Sequence, residues 1–193
     1  MNINTFLIKS IQKDITESRI NREVALLFIP VAFLTYLFHE SGHWIVGEML
    51  GNDMVLSLNN ANSHSGNYIG KTDGLYISMG GPLFTILQAI IFLALIEKTK
   101  SIYAYPVVFF AVFSRFFSLV LGEFSRQDEV RIAAMLDINK YTVAIIVVMV
   151  LFLALWRGSY LLKLNLKAIG YYTTLSTLSI LMVIGINKLL QSF

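Results

Sequence analysis

Uncharged apolar runs alternate with short polar segments along most of the chain. Residues 24–38 carry no charge, and a helix that begins near Val24 is expected to continue to about Leu50. Residues 74–96 form an uncharged run of 23, residues 101–122 are interrupted by Arg115 alone, and two further runs occupy 141–156 and 168–187. A helix needs roughly 20 apolar residues to cross a hydrocarbon layer of about 30 Å, so each run reads as a span, the one at 141–156 slightly short. Pro30 is expected to bend the first span, Gly80-Gly81-Pro82 to interrupt the start of the second, and Pro106 to mark the start of the third. Before the first span, Leu7, Ile8, Ile11 and Ile15 fall on one helical stripe, which suits a helix lying at the membrane surface. The polar segment 51–73 is rich in Asn, Ser and Gly. It is expected to form a loop or hairpin, with short strands at 54–58 and 68–69 around a turn at 59–66. Within 123–140, residues 128–136 have helical spacing, with Val130, Ile132, Ala133 and Leu136 apolar. The expected fold class is an all-α polytopic membrane protein: about five transmembrane helices, a short polar loop or hairpin between the first two, and an N-terminal amphipathic helix.

Composition agrees with this pattern. The 193 residues are 56% hydrophobic and only 14% charged, where a soluble domain carries about a quarter charged residues. A net charge of +3 does not suggest nucleic acid and fits contact with anionic headgroups. With no cysteine, disulfides and thiolate ligands are excluded, so a bound metal must use histidine and carboxylate. The first 23 residues are polar and amphipathic and lack the pattern of a cleavable signal, so the first span is expected to stay attached. The expected organisation is a surface segment at 1–23, a membrane core at 24–136 that carries the chemistry, and C-terminal transmembrane helices at 137–193.

The chemistry starts with His39-Glu40-Ser41-Gly42-His43, inside the first span. Histidines at i and i+4 share one helix face and can reach one tetrahedral metal, usually zinc, while Glu40 stays off the metal and near its bound water. Two structural histidines sharing a face are the bland alternative, but polar groups at membrane depth are costly and usually functional. A catalytic zinc needs a third protein ligand, and a carboxylate keeps the sum of zinc, ligand and hydroxide neutral. Asp128 is the first candidate, Glu129 the second and Glu123 the third. Glu48, five residues past His43, points about 140° away on a continuous helix and is set aside. In this chemistry zinc lowers the pKa of its water and polarises a carbonyl, and Glu40 moves the proton from water to the leaving amine. Ser41 and Gly42 read as small residues that permit close helix packing.

Span counting brings these groups to one level. If span one leaves the side that holds the N-terminus, then His39 and His43, Gly80-Gly81-Pro82 and Asp128 all fall toward the opposite side. Nine Lys or Arg lie on the N-terminal side of the spans against five on the other, which favours an inside N-terminus and places the site toward the outer face.

HESGH in a first span, GGPLFT opening a second and RQDEVRIAAML after a third resemble the site-2 protease family of intramembrane zinc metalloproteases. The resemblance covers roughly residues 24–136. It implies zinc ligands at His39, His43 and Asp128, a catalytic base at Glu40, and peptide hydrolysis within a bilayer. Two features depart from the family. Asp128 sits between Gln127 and Glu129 where the family often has Leu-Asp-Gly, and Thr85 stands where many members have asparagine.

The expected function is therefore a zinc metalloendopeptidase acting on membrane-embedded or membrane-proximal peptides, in an integral multi-pass protein of a bacterial cell membrane. Its partners would be a membrane-protein or peptide substrate, the bilayer and a regulatory membrane protein. The alternative is a catalytically inactive relative that binds partners. His64, among polar loop residues, reads as exposed, and Arg115 needs a partner, either Glu123 or Glu129.

Overall fold

The computed structural model describes residues 3–190 apart from residue 59, and for residues 3–8, 10 and 190 the backbone only. The elements are α1 (Ile3–Glu17), α2 (Arg22–Met49), a hairpin of β1 (Met54–Ser57) and β2 (Asn60–Ser63), α3 (Asp73–Thr99), α4 (Tyr105–Leu121), α5 (Asp128–Met135), α6 (Thr142–Leu162) and α7 (Leu166–Leu190), with single 3-10 turns before α4 and α5. Among the described residues five helices are long and apolar enough to cross a membrane: α2, α3, α4 with its preceding turn, α6 and α7. The chain is an all-α polytopic membrane protein.

Local chemistry sets the helix ends. Asn21 caps α2, its side chain accepting the Val24 N–H at 2.7 Å. Pro106 stands in the first turn of α4, where a missing N–H costs nothing. The fourth span is longer than its uncharged run, because α6 carries on past Trp156 to Leu162 and absorbs Arg157, whose guanidinium donates to Glu97 at 2.9 Å. Pro30 and Pro82 both lie inside continuous helices, so Gly80-Gly81-Pro82 does not interrupt the second span. The stripe expected on α1 lies partly outside the described side chains (Leu7 and Ile8), while Ile11 is exposed.

The core sits where α4 passes between α2, α3, α6 and α7. Tyr105 through Val112 are buried without a break, which explains why this run lacks an amphipathic period. Phe109 and Phe110 belong to that core, whereas Phe116 is exposed.

α2 and α3 pack most closely of all. A Cβ added at Gly42 would overlap the Gly80 carbonyl and come within 2.8 Å of the Phe84 ring. A Cβ at Gly80 would in turn overlap the Gly42 carbonyl. Backbone therefore meets backbone, as small residues allow in membrane helices. Ser41 does not share in this contact; its hydroxyl donates back to the Leu37 carbonyl at 2.7 Å.

The hairpin is tighter than expected. β2 is Asn60–Ser63, pairing Met54 with Ser63 and Ser57 with Asn60, and residues 68–69 are not a strand. The second strand is polar, so no alternation advertised it; only Ala61 turns inward, beside Met54 and Ile77. The hairpin is fastened to the spans. Trp44 Nε1 donates to the Met54 carbonyl at 3.2 Å, and the Met54 N–H donates to Glu48 at 2.9 Å. Asn52 Nδ2 donates to Asp73 at 2.9 Å, while the Ile69 N–H donates back to Asn52 at 2.9 Å. On α5, Ile132 and Ala133 face inward, but Leu136 lies exposed beyond the helix end.

Replacing Gly42 by Val forces α2 away from α3. The expected loss is about 1–3 kcal/mol, the usual cost of overpacking, seen as a lower Tm in detergent and accompanied by reduced metal uptake. An unchanged Tm would show that the two backbones do not depend on this contact.

Candidate metal centre

The inward face of α2 carries Thr35, His39 and His43 at intervals of four, and α3 answers each in antiparallel order. Gln88 Nε2 donates to Thr35 Oγ1 at 3.1 Å, His39 Nδ1 meets Thr85 Oγ1 at 2.8 Å, and His43 Nδ1 meets the Ile77 carbonyl at 2.6 Å. These partners assign the imidazole tautomers. A carbonyl only accepts, so His43 donates from Nδ1. Thr85 spends its hydroxyl proton on the Gly81 carbonyl at 3.1 Å, so its oxygen accepts from His39 Nδ1. Both rings therefore turn an unprotonated Nε2 to the same side. Gly81 permits this, because a Cβ there would overlap His43 Nε2 and lie 2.6 Å from His39 Nε2.

Asp128 completes the group from the first turn of α5. Its Oδ2 lies 3.1 Å from His39 Nε2 and 3.3 Å from His43 Nε2, and the two nitrogens are 3.3 Å apart. Tetrahedral zinc with bonds of about 2.0–2.1 Å separates its ligand atoms by about 3.3–3.4 Å. The triangle fits. All three side chains are buried, and together they can hold one metal ion. Three unprotonated acceptors facing one another need a cation or added protons between them. The strain shows on Asp128, which lies outside the spans. Burial pushes its carboxyl up, yet with such added protons on His39 and His43 hydrogen bonding outweighs this and holds it well below the ordinary carboxylate range. Its other oxygen, Oδ1, accepts from Arg131.

The trio opens onto a cavity of about 610 Å³, walled by α2, α3, α4, α5 and the hairpin residues Asn60, Ala61 and Asn62. Half-buried Glu40 lines the same cavity.

The other candidates go elsewhere. Glu129, fully buried, faces Arg115 at 3.4 Å. Glu123 is exposed and pairs with Arg126 at 2.6 Å. Glu48 supports the hairpin, and His64 is exposed in the loop after β2. Sequence reasoning missed three parts of this centre. Thr85 orients His39, the Ile77 carbonyl orients His43, and Arg115 reaches within 3.0 Å of His39 Nε2. A hydroxyl and a charge inside apolar runs were the available signals for Thr85 and Arg115; a backbone carbonyl leaves none.

No protein-family model, curated protein or solved structure significantly matches the chain.

Metal analysis after dialysis against a chelator checks the assignment. Asp128→Ala is expected to lose bound metal, while Glu123→Gln keeps it. Thr85→Val should weaken binding about 10–100-fold, the usual cost of removing the partner that orients a histidine ligand. Stoichiometric metal in Asp128→Ala would remove Asp128 from the ligand set.

Proposed function

We propose that the chain is an intramembrane zinc metalloendopeptidase that hydrolyses peptide bonds of membrane-embedded or membrane-proximal substrates. The reading is carried by one observation: two imidazole nitrogens and a carboxylate oxygen stand at tetrahedral spacing on the cavity that Glu40 also lines. Zinc is the metal of choice, since two histidines and one carboxylate form a common catalytic set for it. The resemblance of HESGH and its companion motifs to the site-2 protease family supports the same reading.

Zinc held there supplies a Lewis acid and a water of lowered pKa. The chain's own residues do the rest. Glu40 accepts the proton of the attacking water as its oxygen bonds to the peptide carbon, and hands that proton to the amine nitrogen as the carbon–nitrogen bond breaks. His39 and His43 are held in one tautomer by Thr85 and Ile77, so the ligand atoms need no rearrangement before reaction. A helical substrate must unwind to expose its carbonyl. β2 lies against the cavity with Asn60 to Asn62, where an extended peptide can run alongside the hairpin and add a strand.

The site lies toward the side opposite the N-terminus, and the distribution of Lys and Arg favours the outer face.

Glu40→Gln keeps the shape of the side chain and removes the base. Cleavage of fluorescent single-span peptides in detergent is expected to fall by about 10²–10⁴-fold, with metal content unchanged. A Glu40→Gln protein that cleaves like wild type would end the enzymatic reading and favour a partner-binding protein that retains metal.

A further inference from the structure

Arg115 is the group that neither the ligand set nor the base accounts for. It stands in α4 with its side chain 9% exposed. Nη2 donates to Gln127 Oε1 at 3.2 Å and faces Glu129 Oε2 at 3.4 Å. Nη1 turns the other way, to 3.0 Å from His39 Nε2 and 3.9 Å from Asp128 Oδ2. An arginine present only to neutralise Glu129 would make its closest contact there, yet its nearest polar neighbour is a metal-ligand nitrogen. The ion pair is also loosely made. Arg115 Nε and Glu129 Oε1 are buried with no hydrogen-bond partner among the described residues. Two buried charges at this depth are a costly way to join α4 and α5, since apolar side chains would pack as well. Thr85 cannot supply a donor on the α3 side, because its hydroxyl is committed to Gly81 and His39.

We propose that Arg115 is a further catalytic residue of this centre: its Nη1 donates a charge-assisted hydrogen bond to the oxygen of the scissile carbonyl as that oxygen becomes negative, and Glu129 and Gln127 position it. The assignment rests on the peptidase reading above. As the water oxygen bonds to the carbonyl carbon, the π electrons move to the carbonyl oxygen, and Arg115 stabilises that charge without giving up its proton. When the carbon–nitrogen bond breaks, the electrons return and the nitrogen takes its proton from Glu40. A fixed donor aimed at developing charge inside a low-dielectric cavity is a large source of rate enhancement.

The test uses the full chain in detergent, loaded with cobalt(II) so that binding is read from visible absorption. Two probes are titrated: inorganic phosphate, a tetrahedral oxyanion, and imidazole, a neutral metal ligand. Arg115→Gln is expected to weaken phosphate binding about tenfold or more, with imidazole affinity and cobalt content unchanged. The double variant Arg115→Gln/Glu129→Gln removes both buried charges, so the fold need not carry an unpaired carboxylate, and should show the same selective loss. Arg115→Lys should recover most of the phosphate affinity. Three results overturn the assignment alone: phosphate affinity unchanged in the double variant, phosphate and imidazole weakened in parallel, or cobalt lost from both glutamine variants. A metal-loaded wild type that binds imidazole but no phosphate overturns it too. A wild type that takes up no metal overturns the peptidase reading and this assignment together.

Discussion

Where α2 crosses α3, the Gly42 and Gly80 backbones touch with no side chain between them. Helices that carry a Cβ at such a crossing stand farther apart. The close approach brings the Ile77 carbonyl within 2.6 Å of His43 and Thr85 within 2.8 Å of His39. Both imidazoles are thereby fixed in rotation and tautomer, and Gly81 leaves room for their Nε2 atoms to converge. The centre is therefore a consequence of a helix crossing. Three small residues, Gly42, Gly80 and Gly81, do as much to build it as the two histidines on α2.

The carboxylate of the group is brought in by a short helix whose first two residues divide the work. Asp128 turns to the histidines and Glu129 to Arg115. Successive helical residues point about 100° apart, so one turn can serve two cations from two directions. The charges follow the same logic. Glu129 answers Arg115, and Arg131 leans on the outer oxygen of Asp128, whose other oxygen faces the histidines. Buried charge in a membrane protein is tolerable when it is compensated locally, and here each positive group has an acid within reach.

Much of this was legible in the residues alone. The five spans follow from uncharged runs, because lipid rewards continuous apolar sequence and the length needed is set by bilayer thickness. His39, Glu40 and His43 were legible because helix geometry fixes what i and i+4 can share. That Asp128 would lie at their level followed from counting spans; that it meets them, with Glu129 turned away, needed coordinates. Other features were hidden for physical reasons. β2 is built of Asn60, Asn62 and Ser63 around one inward Ala61, so it lacks the alternation by which strands are recognised. Gly80-Gly81-Pro82 looks like a break, yet the helix runs through it, since neighbouring helices support a proline inside a membrane. The end of α6 was obscured by Arg157, whose partner Glu97 lies on another helix.

The hairpin shows how a polar segment can be held rigidly at the edge of such a site. A two-stranded ribbon alone is marginal in water, so this one must be fastened. Trp44 and Glu48 hold Met54 from α2, and Asn52 is locked between Ile69 and Asp73 at the start of α3. Glu48, one turn beyond His43 and unsuited to the metal, thus serves the centre by fixing the strand that pairs with the wall of its cavity. The polarity of β2 then has a purpose. A strand that lines a cavity rather than the apolar core needs no apolar face, and Asn60 and Asn62 bring polar side chains to a cavity that lies among apolar helices.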